Sequence, residues 1–108
     1  MSAMIGALRH RVSLQSPERT SGDGGTASIT WTHVADLFAR IKPVSGRELV
    51  SADGLTARLT HEVTIRTTDD VEPAMRFVDG TRVLDIHAVL DVDGRRRWLR
   101  CLCEERLP

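Results

Sequence analysis

The sequence predicts a mainly β protein: a small antiparallel β-barrel or sandwich of about six strands, with one short α-helix and one long flexible loop. Apolar and polar side chains alternate along several stretches, which is the pattern of strands that bury one face. Turn residues recur at short intervals, and Asp79-Gly80 and Asp93-Gly94 are both hairpin signals. The chain has 108 residues, 41% hydrophobic and 28% charged, which predicts one globular domain over residues 1–108.

Two strands and a loop are predicted in the N-terminal part of the chain. A first alternating stretch, LRHRVSLQ, is expected to end at Pro17. Residues 17–26 are rich in glycine and small polar side chains, so they are expected to form the flexible loop. The longest alternating pattern then runs from Ile29 to Ile41, with Pro43 as its expected end. A strand of that length usually bends or contains a bulge.

The helix and the remaining strands are predicted after Pro43. Ser45 and Glu48 have the spacing of a capping box, which predicts one short helix over residues 45–53. A strand over residues 57–67 follows, then two strands joined at Asp79-Gly80 and a last strand over residues 96–104.

Charge and apolar content limit the classes of partner. Fifteen basic and fifteen acidic residues give a formal net charge of zero, which argues against a protein that binds nucleic acid tightly. No stretch has the apolar length of a signal peptide or a membrane span, so we expect synthesis in the cytosol and no membrane partner. Cys101 and Cys103, the only cysteines, are expected to be reduced core residues.

No set of residues predicts a catalytic, cofactor-binding or metal-binding site. The four histidines lie in four different predicted strands, and no HxH, HxxxH or CxxC spacing joins them. His61, in the stretch THEVTIR, is therefore interpreted as a structural residue of a strand face. Two alternatives stay open. A small nucleic-acid-binding barrel would need an arginine-lined groove with Trp31 or Trp98 exposed, and a metal-dependent enzyme would need histidines that converge in space.

Five segments carry a resemblance to a known family. They are GALRHRVSLQ, TWTHVADLFARIKPVSGREL, LTHEVTIR, EPAMRFVDGTRVLDIHAV and WLRCLCEE, and together they cover nearly the whole chain. In these segments and their order the chain resembles the head-tail joining proteins of tailed phages, prophages and gene transfer agents, which are also called head closure, stopper or connector proteins. Leu49 and Phe38 stand where family members often have an aromatic residue and a tryptophan. Both positions stay apolar.

The resemblance implies a structural virion protein that is not an enzyme. Its β-barrel subunits would assemble into a homo-oligomeric ring, expected to be six-fold, with the portal or adaptor protein on the head side and the tail terminator or tail tube protein on the tail side. The ring would form part of the DNA exit channel, retain packaged DNA without binding it tightly, and attach the tail. The implied location is the head-tail interface of a virion or phage-like particle assembled in the bacterial cytoplasm.

Two sets of residues are candidates for contacts within such a particle. The first lies in the glycine-rich loop, which we expect to reach the channel or an adjacent ring and to become ordered on assembly. The second set is charged and is expected at subunit interfaces. The loop candidates are Ser21, Gly22, Asp23, Gly24 and Gly25, and the interface candidates are Arg47, Glu48, Arg95, Arg96 and Arg97.

Overall fold

A computed structural model describes residues 8–22, 24, 27–50 and 56–106, and its regular elements are six β-strands. The strands are β1 (His10–Ser21), β2 (Ala27–Val50), β3 (Thr56–Arg66), β4 (Arg76–Asp79), β5 (Arg82–Asp91) and β6 (Trp98–Arg106). Every paired neighbour is antiparallel, and β4 pairs back to β1, so the sheet closes into a barrel in the order β1-β2-β3-β6-β5-β4. The predicted mainly β, antiparallel fold of about six strands is confirmed. No helix in the described part of the chain is long and apolar enough to cross a membrane.

Alternate residues of the strands fill the barrel interior. Val63 of β3 lies opposite Cys101 of β6, and both are fully buried. Phe77 lies where the barrel closes, opposite Leu14 of β1 on one side and Leu84 of β5 on the other. The core cluster consists of Val12, Leu14, Ala39, Val63, Ile65, Val71, Met75, Phe77, Leu84, Ile86, Cys101 and Cys103.

The segment between β3 and β4 adds to this core. Val71 and Met75 are buried, whereas the acidic side chains around them are exposed. The amide of Ala74 donates to the carbonyl of Ile86 at 3.1 Å, and the amide of Ile86 donates to the carbonyl of Met75 at 3.0 Å. These two bonds continue the β4–β5 ladder past the first residue of β4.

The first strand is longer than predicted, and part of the predicted loop is wrong. Residues 17–21 pair with β2, with Pro17 opposite Trp31 and Ser21 opposite Ala27. A proline is tolerated at a sheet edge, and β4 pairs with β1 only from Ser13 to Gln15. The connection between β1 and β2 is therefore shorter than residues 17–26.

The second strand is also longer than predicted, and the predicted helix over residues 45–53 is wrong for residues 45–50. These residues belong to β2, which continues past Pro43 through a bulge and pairs again with β3 from Arg47 to Val50. A capping box is a local signal of roughly 1 kcal/mol, and a cross-strand ladder outweighs it here. Residues 51–53 lie outside the described residues.

A second bulge in β2 changes which side chains share a face. Leu14 pairs with Ala35 and Gln15 pairs with His33, so Val34 has no partner in β1. Because Leu14 and Gln15 point to opposite sides of β1, Ala35 and His33 also point to opposite sides. The predicted bulge is confirmed, but the odd positions from Ile29 to Ile41 do not form one continuous face. Those before Val34 lie on the outer side.

The length of β2 shows how far it curves. Its 24 residues would span about 79 Å if straight at about 3.3 Å per residue. The longest dimension of the molecule is 54 Å, so the strand bends around the barrel.

Two segments that are paired on one side only extend beyond the closed part of the barrel. We call residues 16–21 with 27–32 the β1–β2 arm, and residues 47–50 with 56–59 the β2–β3 arm.

Candidate interaction surfaces

The β1–β2 arm has open edges on both of its strands. Among the described residues, no strand pairs with β1 beyond Gln15 on the side away from β2, and β3 pairs with β2 only from Ala39 onward. The backbone groups along these edges are therefore available to another chain. Within the arm, Thr20 Oγ1 lies 3.0 Å from Ser28 Oγ across the two strands.

Three of the loop candidates are described, and they lie at the tip of this arm. Ser21 is the last residue of β1 and is exposed, as are Gly22 and Gly24. Gly24 has a φ of 80°, which is in the left-handed region that glycine adopts without strain. Asp23 and Gly25 lie outside the described residues.

The β2–β3 arm holds the first pair of interface candidates. Glu48 lies opposite Arg58 and is exposed. A shallow pocket of about 380 Å3 is lined by Gly46, Glu48, Thr56, Arg58 and Glu104. A Cβ on Gly46 would lie 2.7 Å from Arg58 Nε, so the arginine passes closely over the glycine. Arg47 lies opposite Leu59, and its side chain is outside what the structure describes.

The other interface candidates form the turn between β5 and β6. Asp93 accepts two hydrogen bonds in this turn, from Arg97 Nη2 to Oδ2 at 2.9 Å and from the amide of Arg95 to Oδ1 at 3.0 Å. Asp91 Oδ2 accepts from the amide of Arg96 at 3.0 Å. The guanidinium of Arg97, and then the Arg95 amide, hold the pKa of Asp93 below its usual range. The two carboxylates thus order a turn whose arginine side chains are exposed. As far as the structure describes them, the candidates lie in three different hairpins and do not converge on one site.

His61 belongs to a polar cluster at the inner side of β3. Its side chain is 13% exposed, with Nδ1 2.9 Å from Thr60 Oγ1 and Nε2 3.8 Å from Glu105 Oε1. Arg82 Nε donates to Glu105 Oε2 at 3.0 Å, and that bond is the main reason why the pKa of Glu105 is lowered. Burial lowers the pKa of His61, the charge of Arg82 adds to this, and Glu105 opposes it. The hydroxyl beside the imidazole, Thr60 Oγ1, also accepts the amide of Glu105 at 2.7 Å, so the polar groups of the cluster find their partners within the chain.

The described residues offer no metal site and no activated thiol. No group of three or more His, Cys, Asp or Glu side chains within them could hold a metal ion. Cys101 and Cys103 are both free and buried, as predicted. Burial raises the pKa of Cys101 to about 12 and also raises that of Cys103, so both are protonated at neutral pH.

Sequence reasoning missed a groove below the β1–β2 arm. It has a volume of about 640 Å3. Trp31 lines it, and the guanidinium of Arg76 lies 4.1 Å from the centroid of the indole ring. Trp98, the other tryptophan, is only 8% exposed and is not free to stack on a base. In the sequence, Trp31 belongs to the alternating pattern of β2 and could have indicated this surface. The side of the sheet on which Trp31 lies is set by the bulge at Val34, which the pattern does not reveal.

Comparisons with known proteins extend these observations. The phage head completion protein family matches the chain over residues 3–106. A chain in the structure of a virion of a native gene transfer agent particle has a TM-score of 0.69 and 22% identity, covering 94% of this chain and 97% of that chain. The solution structure of protein SF1141 from Shigella flexneri 2a has a TM-score of 0.68 and 30% identity, with 94% of this chain and 95% of that chain covered. A comparison with curated proteins gives no match.

Proposed function

The chain belongs to the phage head completion protein family, and on this premise we propose that it forms a homo-oligomeric ring in the head-tail connector, between the portal or adaptor protein and the tail. Family membership gives the chain a structural role in a virion. The proposal adds the ring, its place on the path of the DNA, and a stopper role that retains packaged DNA until the tail is attached. In this role the protein is not an enzyme.

The observation that carries the proposal is the pair of arms on a barrel that is otherwise closed. The strands of a closed barrel are paired on both sides and have no free edge for another chain. Free strand edges are therefore found in the arms, where pairing occurs on one side only. Each subunit of a ring contacts its two neighbours through two different surfaces. The β1–β2 arm and the β2–β3 arm are two such surfaces, and β2 runs through both.

The distribution of charge supports a channel through which DNA passes without being held. The net charge of the chain is zero. Several guanidiniums are already paired with carboxylates, among them Arg97 with Asp93 at 2.9 Å and Arg106 with Asp85 at 3.0 Å. A guanidinium that is neutralised within the subunit contributes little to phosphate binding.

Within this proposal, the candidate residues act at contacts between subunits or at the channel. The tip of the β1–β2 arm, residues 21–25, reaches the channel or an adjacent ring. Arg47 and Glu48 of the β2–β3 arm, or the turn of Arg95 to Arg97, contact a neighbouring subunit. The fold of a chain in a gene transfer agent virion is similar at TM-score 0.69, which supports the use of this barrel in such a particle.

The test is the composition and form of particles made by the source strain. We expect mass spectrometry of purified, DNA-containing particles to detect the protein at the copy number of a single ring. Particles made without its gene are expected to be tailless heads that lose their DNA. Absence of the protein from particles, together with normal assembly in its absence, would refute the proposed function.

A further inference from the structure

The groove below the β1–β2 arm has one apolar wall that belongs to the arm. Pro17 pairs with Trp31 and Arg19 pairs with Ile29, so these four side chains lie on one face of the arm and all line the groove. Ile29 is 50% exposed, although it is aliphatic. This wall of the groove thus presents apolar surface at Ile29 that the described chain leaves exposed.

The other wall comes from the segment before β4 and from β5 and β6. It contains Pro73, Ala74, Asp85, His87 and Arg106. Met75 and Ile86 also line the groove and are 3% and 1% exposed, so its deepest part is apolar.

The groove follows the open edge of β1. The pairing of β4 with β1 stops at Gln15, and the chain then separates from β1 to form the far wall. Pro17 and Arg19, which alternate along this edge, line the gap. An extended peptide is the shape that fits a gap beside a strand edge, because it can bond to the backbone while alternate side chains enter the groove.

Positive charge at the groove exceeds negative charge. Arg19, Arg76 and Arg106 lie in or beside it, and Asp85 is the carboxylate in its lining. Arg106 donates to Asp85 from Nη2 and Nε at 3.0–3.2 Å, so Asp85 is already occupied. Arg19 and Arg76 form no salt bridge among the described residues. Arg76 lies opposite Asp85 in the β4–β5 ladder, but its Nε donates to Gln15 Oε1 at 2.7 Å. Burial, and then the charge of Arg106, lower the pKa of Arg76, and the charge of Asp85 opposes this shift.

From this geometry we infer that the groove binds an extended, carboxylate-bearing segment of a different protein of the particle, with an aliphatic or aromatic side chain of that segment packed against Trp31 and Ile29. The guanidiniums of Arg19 and Arg76, which form no salt bridge within the described chain, select the carboxylate. Apolar walls and the open edge of β1 select an extended polypeptide. The inference rests on the proposed location in a particle.

Nucleic acid fits the groove less well than a peptide does. A base would need a free aromatic face, and Arg76 already covers one face of Trp31 at 4.1 Å from its centroid. The deepest part of the groove is apolar, which suits an aliphatic or aromatic side chain better than a phosphate backbone.

The test places a photoreactive amino acid in the groove of the protein in its assembled particle. Ile29 is replaced with p-benzoylphenylalanine, and the crosslinked products are identified by mass spectrometry. The matched control carries the same amino acid at Leu90, which is 47% exposed and lies outside the groove. We expect the Ile29 position to capture a segment of a different particle protein that contains Asp or Glu next to an apolar residue. The Leu90 position is not expected to capture that segment.

A charge reversal then tests recognition of the carboxylate. Arg19→Glu is expected to reduce the yield of this crosslink about tenfold or more, because one attractive pair is replaced by a repulsive one. The control Arg40→Glu reverses an exposed charge of β2 outside the groove and is expected to leave the yield unchanged.

The outcomes separate the inference from the proposed function. Particles that contain the protein but give no crosslink at Ile29, or a crosslink to DNA or to a second copy of this chain, would overturn the inference alone. An unchanged yield in Arg19→Glu would overturn it too. If particles lack the protein altogether, the proposed function fails first, and the inference falls with it.

Discussion

Phe77 and Phe38 are the two phenylalanines of the chain, and they occupy opposite environments. Phe77 is fully buried between Leu14 and Leu84 where the barrel closes, whereas Phe38 on the outer side of β2 is 61% exposed. The same substitution at both positions therefore separates burial from residue type. Phe77→Ala removes a buried ring and leaves a cavity, and we expect it to lower the free energy of unfolding by about 3–5 kcal/mol. Phe38→Ala should change it by less than about 0.5 kcal/mol.

Urea denaturation followed by circular dichroism measures both effects. A domain of this size has a total stability of roughly 5–15 kcal/mol, so Phe77→Ala would remove a large part of it. With a slope of about 1.5 kcal/mol per M urea, the midpoint is expected to fall by about 2–3 M for Phe77→Ala and to change little for Phe38→Ala. Equal losses in the two variants, or a loss below about 1 kcal/mol for Phe77→Ala, would show that the β1–β4 closure does not hold the barrel as described.

Three further predictions concern protonation, thiol reactivity and assembly. Burial lowers the pKa of His61, so the unfolded chain takes up a proton at a higher pH than the folded chain does. The free energy of unfolding should therefore decrease below about pH 6.5. This pH dependence should disappear in His61→Gln, and an unchanged dependence would contradict the burial of His61. Cys101 and Cys103, with raised pKa values, should react with iodoacetamide at pH 8 only after denaturation, whereas labelling of the folded protein at the rate of a free thiol would argue against their burial. Deletion of residues 21–25 should leave the fold of the subunit intact, as measured by circular dichroism, but should impair particle assembly or DNA retention. Normal infectious or transducing particles would exclude a role for these residues.

The features that the sequence predicted correctly depend on local chemistry. The turns at Gly80 and Gly94 have φ values of 62° and 71°, which is the conformation that makes Asp-Gly a hairpin signal. Cys101 and Cys103 were expected in the core because they alternate in an apolar strand, and both are fully buried. In these cases the neighbours along the chain were sufficient for the prediction.

The errors arose where distant pairing decided the local structure. The capping box of Ser45 and Glu48 predicted a helix, but pairing with β3 makes those residues part of a strand. The groove was not foreseen because it depends on two facts that alternation does not encode. One is the end of the β1–β4 pairing at Gln15, and the other is the unpaired Val34, which turns Trp31 to the outer side of the sheet.

The continuity of β2 has a mechanical consequence. One backbone of 24 residues runs through both arms and through the barrel wall between them. A tensile load applied between the two arms acts along this strand, parallel to its neighbours. Such a load shears the ladders, so that many hydrogen bonds must fail together instead of opening one after another. The bulges at Val34 and after Pro43 are then the places where the strand can lengthen slightly before the ladders fail.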